Sequence, residues 1–221
     1  FSNTTGANNV AVGCGSLTDN TIGDQNTAVG GTALGDNTEG EYNAAFGYNA
    51  LRKNTTADHG AAFGYYALAC NTTGADNTAV GTSALRSNTT GAHNTAVGSC
   101  SLNDNTTGAY NTSLGKQALE HNVEGEGNVG IGYQTLCTQN HADGDFNTGV
   151  GYRALRLNSE GNNNTAIGKE ALCANTTADN NTAVGSLSLS ANTTGACNIA
   201  MGSCALIANT TGSCNHGLGT F

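Results

Sequence analysis

The stretch Asn77-Thr-Ala-Val-Gly-Thr-Ser-Ala-Leu-Arg-Ser-Asn-Thr-Thr-Gly-Ala-His93 is followed directly by Asn94-Thr-Ala-Val-Gly98, and the same phrase recurs along the whole chain. Units open at residues 9, 26, 43, 60, 77, 94, 111, 128, 147, 164, 181, 198 and 215. Every interval is 17 residues except that from 128 to 147, which is 19. A fixed short period is the signature of a repeat architecture. With the opening residue as position 1, position 5 is Gly in every unit, from Gly13 to Gly219, and position 9 is Leu wherever the unit reaches it, from Leu17 to Leu206. Seventeen residues with two Gly or Asn turn signals are too few for a helical pair, which takes about 33 residues or more, but they suffice for one coil of a β-solenoid. The expected fold is therefore all-β: a parallel β-solenoid of about 13 coils in a single repeat array over residues 1–221, with a two-residue insertion in 138–146. At roughly 4.8 Å per coil it would form a rod of about 60 Å.

Two large apolar side chains per unit look like its core, Leu at position 9 and the residue at position 4, which runs Val12, Val29, Phe46, Phe63, Val80 and so on to Leu218. Position 3 is always small, from Ala11 to Gly217. Alternation along a strand would turn it to the opposite side, as a bulk-free stripe for a second chain or a second sheet of the same coil. Asn at positions 1 and 12 is expected to form ladders in the turns.

The composition narrows the function. Gly 32 and, by direct count, 31 Asn supply 63 of 221 residues, far from ordinary globular usage. A formal net charge of −9 with seven Lys+Arg argues against nucleic acid or an anionic membrane surface as partner. No run of about 18 apolar residues exists, so no membrane insertion is expected. Catalytic groups do not converge: the five His are scattered over the repeat frame, only His59 and His93 sharing a position and those two lying two coils apart, and Gly125-Glu-Gly-Asn-Val-Gly130 matches a phosphate-loop pattern only through the repeat frame. A non-enzymatic chain without a resident cofactor is the reading.

Asn77-Thr-Ala-Val-Gly-Thr-Ser-Ala-Leu85 and Asn88-Thr-Thr-Gly-Ala92 resemble the 17-residue repeat arrays of bacterial and viral surface and tail-fibre proteins. More distantly, the Asn-x-Ala-x-Gly phrase is similar to the head repeats of trimeric autotransporter adhesins, which are shorter. The resemblance covers essentially the entire chain. It implies an extracellular, cell-surface or virion-surface structural or adhesive fibre protein, partnered by itself and by surface glycans or a receptor. Two assemblies fit that implication. One is a filament of solenoids stacked end to end through Phe1, Leu218 and Phe221, because Phe1 enters the frame at position 10 and Phe221 leaves it at position 7. The alternative is a receptor-binding shaft or head segment of a trimeric fibre.

Smaller sites follow from the frame. Cys197 and Cys214 share a position on adjacent coils at a spacing compatible with a disulfide. Asn54, Asn71, Asn88, Asn105, Asn175, Asn192 and Asn209 each begin an Asn-x-Thr glycosylation acceptor. Glu124, Glu126, Asp143, Asp145 and Glu160 gather acidic oxygens near the long unit, where Ca2+ would bind if any ion does. Tyr48 with Tyr65, and Tyr133 with Tyr152, share a unit position on successive coils and offer aromatic rows to sugars.

Overall fold

A computed structural model describes residues 2–138 and 144–220, which group into two compact units, Phe1–Tyr110 and Asn111–Phe221. Each coil contributes one three-residue strand. The first unit carries β1 (Val10–Val12), β2 (Thr27–Val29), β3 (Ala44–Phe46), β4 (Ala61–Phe63), β5 (Thr78–Val80) and β6 (Thr95–Val97). The second carries β7 (Thr112–Leu114), β8 (Val129–Ile131), β9 (Thr148–Val150), β10 (Thr165–Ile167), β11 (Thr182–Val184), β12 (Ile199–Met201) and β13 (His216–Leu218). Within each unit every strand pairs in parallel with the next, position for position, as in Thr78↔Thr95 and Thr165↔Thr182. The expected solenoid of 17-residue coils is thus the fold. Pairing of Val129 with Thr148 keeps β8 and β9 in register across the longer interval.

The corners of the coil require backbone conformations that most residues avoid. In the coil 77–93, Gly81 has φ +134°, and Ser83, Leu85 and His93 have φ between 55 and 58° or, for Leu85, 52°. Left-handed backbone costs an ordinary L-residue about 1–2 kcal/mol. Bonds between coils hold each one there: Ser83 N–H donates to Tyr65 O at 2.9 Å, Leu85 N–H to Ser101 O at 2.9 Å, and His93 N–H to Ala75 O at 3.1 Å. Position 5 admits only Gly, since a Cβ on Gly81 would lie 2.7 Å from the carbonyl oxygen of Gly98 one coil on.

The core departs from expectation at the strand. Position 3 faces inward: Ala28, Ala45, Ala62, Ala79, Ala96, Ala166, Ala183 and Ala200 are all buried. Position 4 faces out, and Phe63 and Met201 are 42% and 47% exposed. The second core position of each coil is therefore the small one, and position 4 is not a core knob. The cause is the width of the coil. A Cβ added to Gly130 at position 3 would sit 3.1 Å from Leu119 Cγ, so the Leu at position 9 already fills the interior. Only Ala, Gly or Ser fits opposite it, with the buried Ala, Ser or Thr of position 8 completing the layer. From Ala28 onward the small-residue row is buried, an internal packing surface within each coil stack.

Two rails of buried Asn carry the remaining order. At position 12, Asn88 Nδ2 donates to Asn71 Oδ1 at 2.7 Å and to Gly91 O at 2.8 Å, and Asn105 Nδ2 donates in turn to Asn88 Oδ1 at 2.7 Å. At position 1, Asn77 Nδ2 donates to Gly91 O, while its Oδ1 accepts the Asn94 N–H. Thr at position 13 extends the pattern, with Thr72 Oγ1 donating to Thr89 O at 2.9 Å. Buried amides such as those of Asn77 and Asn88 are tolerated here because nitrogen and oxygen both find partners. Asn181 departs from this, its Oδ1 accepting the Asn198 N–H while its Nδ2 has no partner among the described residues.

Candidate interaction surface

Outward projection of position 4 creates a surface that the sequence reading placed in the core. In the first unit it runs Val12, Val29, Phe46, Phe63, Val80 and Val97, and in the second Leu114, Ile131, Val150, Ile167, Val184, Met201 and Leu218, each side chain exposed or half-buried. In-register pairing stacks these residues one coil apart, and the Phe46 and Phe63 rings lie parallel at 5.0 Å. Position 2, which also faces out, flanks the row with Thr, Ala, Val and Ile, and with His216 in the last coil. Neither position holds Lys, Arg, Asp or Glu in any unit.

Aromatic columns border the ridge. Tyr48 stacks on Tyr65 at 5.7 Å, Tyr65 meets the edge of Tyr66 at 4.5 Å, and the Arg86 guanidinium lies 5.1 Å from the centre of the Tyr66 ring. Desolvation raises the Tyr65 phenol above its ordinary value, with the adjacent Tyr66 hydroxyl adding to the effect. Tyr133 stacks on Tyr152 at 5.6 Å in the second unit, with Arg153 over the Tyr152 ring. The expected tyrosine rows therefore exist and are exposed.

Other expected sites are placed as follows. Asn54, Asn71, Asn88, Asn105, Asn175 and Asn192 are buried ladder members, and half-buried Asn209 makes the same two bonds, to Asn192 Oδ1 and Gly212 O. The nitrogen that a glycan would take is committed in each, so these residues are structural rails and not surface acceptors. Cys197 and Cys214 are exposed, but both are free, so the expected bridge is not formed. Like positions on in-register coils point the same way, which keeps Cβ atoms near the ~4.8 Å coil spacing, whereas a disulfide wants about 3.8 Å. Of the acidic candidates, Asp143 lies outside the described residues. Asp145 Oδ1 accepts the Glu126 N–H at 2.7 Å, and Glu124, Glu126 and Glu160 are exposed. The one trio of metal-ligating side chains that converges among the described residues contains none of them. Phe1 and Phe221 also lie outside the described residues, while Leu218 is 76% exposed on β13.

The ridge is what the sequence reading missed. The absence of any charge at positions 2 and 4 could have revealed it, because a strand face left to water normally carries some. No protein-family model, curated protein or solved structure matches the chain.

Proposed function

We propose that the chain is a non-catalytic structural segment of a surface fibre, in which copies pack side by side through the outward row at position 4. One observation carries this: an uncharged apolar ridge repeats at every coil on the open face of the sheet. Depletion of charge at the centre of a patch marks protein interfaces. Within the first unit, Val12, Phe46, Phe63 and Val80 of this row are 56, 37, 42 and 38% exposed, and a standard interface takes about 800 Å² from each partner. A second copy is the occupant that matches best, since its own row repeats with the same axial period and its side chains fall between those of the first. Lateral packing requires nothing of Phe1 or Phe221. A location at a cell or virion surface follows from the resemblance of the repeat to fibre arrays.

The exposed tyrosine columns favour a second role on the same scaffold, the binding of glycans or a receptor by the finished shaft, because flat aromatic faces suit the apolar faces of sugar rings. Sedimentation velocity on the chain and on the double variant Phe63→Lys, Val80→Lys tests the packing. The chain should sediment as an assembly and the variant as a monomer. A chain that stays monomeric at tens of micromolar would remove the proposal.

A further inference from the structure

A second site sits in the column of position 10, where successive coils of the second unit place Glu120, Cys137 and Arg156 above one another. His121 follows Glu120 in the chain and turns its ring to the same place, with Nε2 at 3.8 Å from Glu120 Oε2. Cys137 Sγ lies 3.7 Å from that same oxygen, and ligand atoms of all three residues fall within 4.8 Å of one another. They line a cavity of about 520 Å³ together with Gln117, Gln134 and Arg156.

We propose that Glu120, His121 and Cys137 form a three-ligand binding site for Zn2+, with a fourth position open to the cavity. A tetrahedral ion with bonds of about 2.0–2.3 Å holds its ligand atoms roughly 3.3–3.5 Å apart. The two observed separations need to shrink by only a few tenths of an ångström to meet it. The donor set is one thiolate, one imidazole and one carboxylate, a mixture that suits Zn2+ and leaves an all-oxygen ion such as Ca2+ poorly served. Gln117 Nε2 donates to Glu120 Oε2 at 2.8 Å and so holds the carboxylate in place before any ion arrives.

Charge balances as well. The Cys137 thiol donates its proton towards Glu120 Oε2 at 3.7 Å. Binding replaces that proton: Cys137–SH and Zn2+ give Cys137–S–Zn and one H+ released to solvent. Two anionic ligands then neutralise the ion. Arg156, whose Nε is buried without a hydrogen-bond partner, stands on the other side of Cys137 in the same column. Cys173 supplies an internal control, because it occupies the same column one coil on but lies between Arg156 and Ser190, with no carboxylate or imidazole beside it in the column.

Titration of the reduced full chain with Co2+, a spectroscopic stand-in for Zn2+, tests the site. The expected result is a thiolate-to-metal absorption band that saturates at one equivalent and is bleached by Zn2+. Cys173→Ser should keep the band and Cys137→Ser should lose it, with unchanged far-ultraviolet circular dichroism. His121→Ala should weaken binding at least tenfold, and Gln117→Ala, which leaves all three ligands in place, by about tenfold. No band in the parent chain, or a band that survives Cys137→Ser, overturns the proposal.

Discussion

Positions 3 and 4 are neighbours on every strand and behave as opposites. Ala79 is fully buried, while Val80 beside it is 38% exposed. The larger and more apolar residue is the one left outside. In a wide solenoid the reverse would hold, but here the coil interior has room for one Leu and little else. Size therefore selects what enters the core, and apolar character without charge marks what is to be covered from outside. The two rows make different promises: changes to the inner row should be read in stability, and changes to the outer row in association.

The largest effect should come from the Leu that sets the interior width. Leu85 is buried and holds φ 52°, so Leu85→Ala removes the main apolar mass of its coil. Such truncations cost about 2–5 kcal/mol, which chemical denaturation would read directly. Next comes Ala79→Leu, which enlarges the inner row where no space exists. Overpacking of this kind costs about 1–3 kcal/mol. If Ala79→Leu were neutral and Val80→Leu destabilising, the assignment of the two faces would be inverted.

Loss of a rail ranks third. Asn88→Ala leaves Asn71 Oδ1 without its donor and takes one of the two donors from Gly91 O, which keeps Asn77. A buried polar group left unpaired costs about 1–3 kcal/mol. Hydrogen exchange should rise first at amides of the flanking coils, because each coil is held only by its neighbours.

How much of this was legible in the sequence can be judged residue by residue. The 17-residue interval, the Leu of position 9 and the Gly of position 5 contain the fold, since each recurs where the coil has one physical need. The Asn rails were equally visible, and their burial follows from the same recurrence. What misled was Phe63: a large aromatic reads as core when burial is inferred from hydrophobicity alone, and only the narrowness of the coil, already filled by Leu at position 9, rejects it. The Glu120 and Cys137 pair was legible as a difference of 17 residues, but the ligating arrangement was not. It depends on the His121 ring turning back towards Glu120 Oε2, a side-chain rotation that no periodicity encodes.

The smallest effect on stability should accompany the most informative effect on assembly. Val80→Thr keeps a β-branched side chain on the outer row and changes one methyl for a hydroxyl in contact with water. Position 2 already carries Thr on the same face, at Thr78 and Thr95, so the strand accepts it. Folding stability should move by no more than about 0.5 kcal/mol, as for other surface substitutions. Association should weaken measurably, because in a packed interface that hydroxyl would be withdrawn from water without a partner. The two numbers must diverge for the ridge to be a contact between copies. Should denaturation midpoint and sedimentation both stay at their parent values, the outer row would be a solvated face, and the pairing of chains would have to be sought elsewhere on the coil.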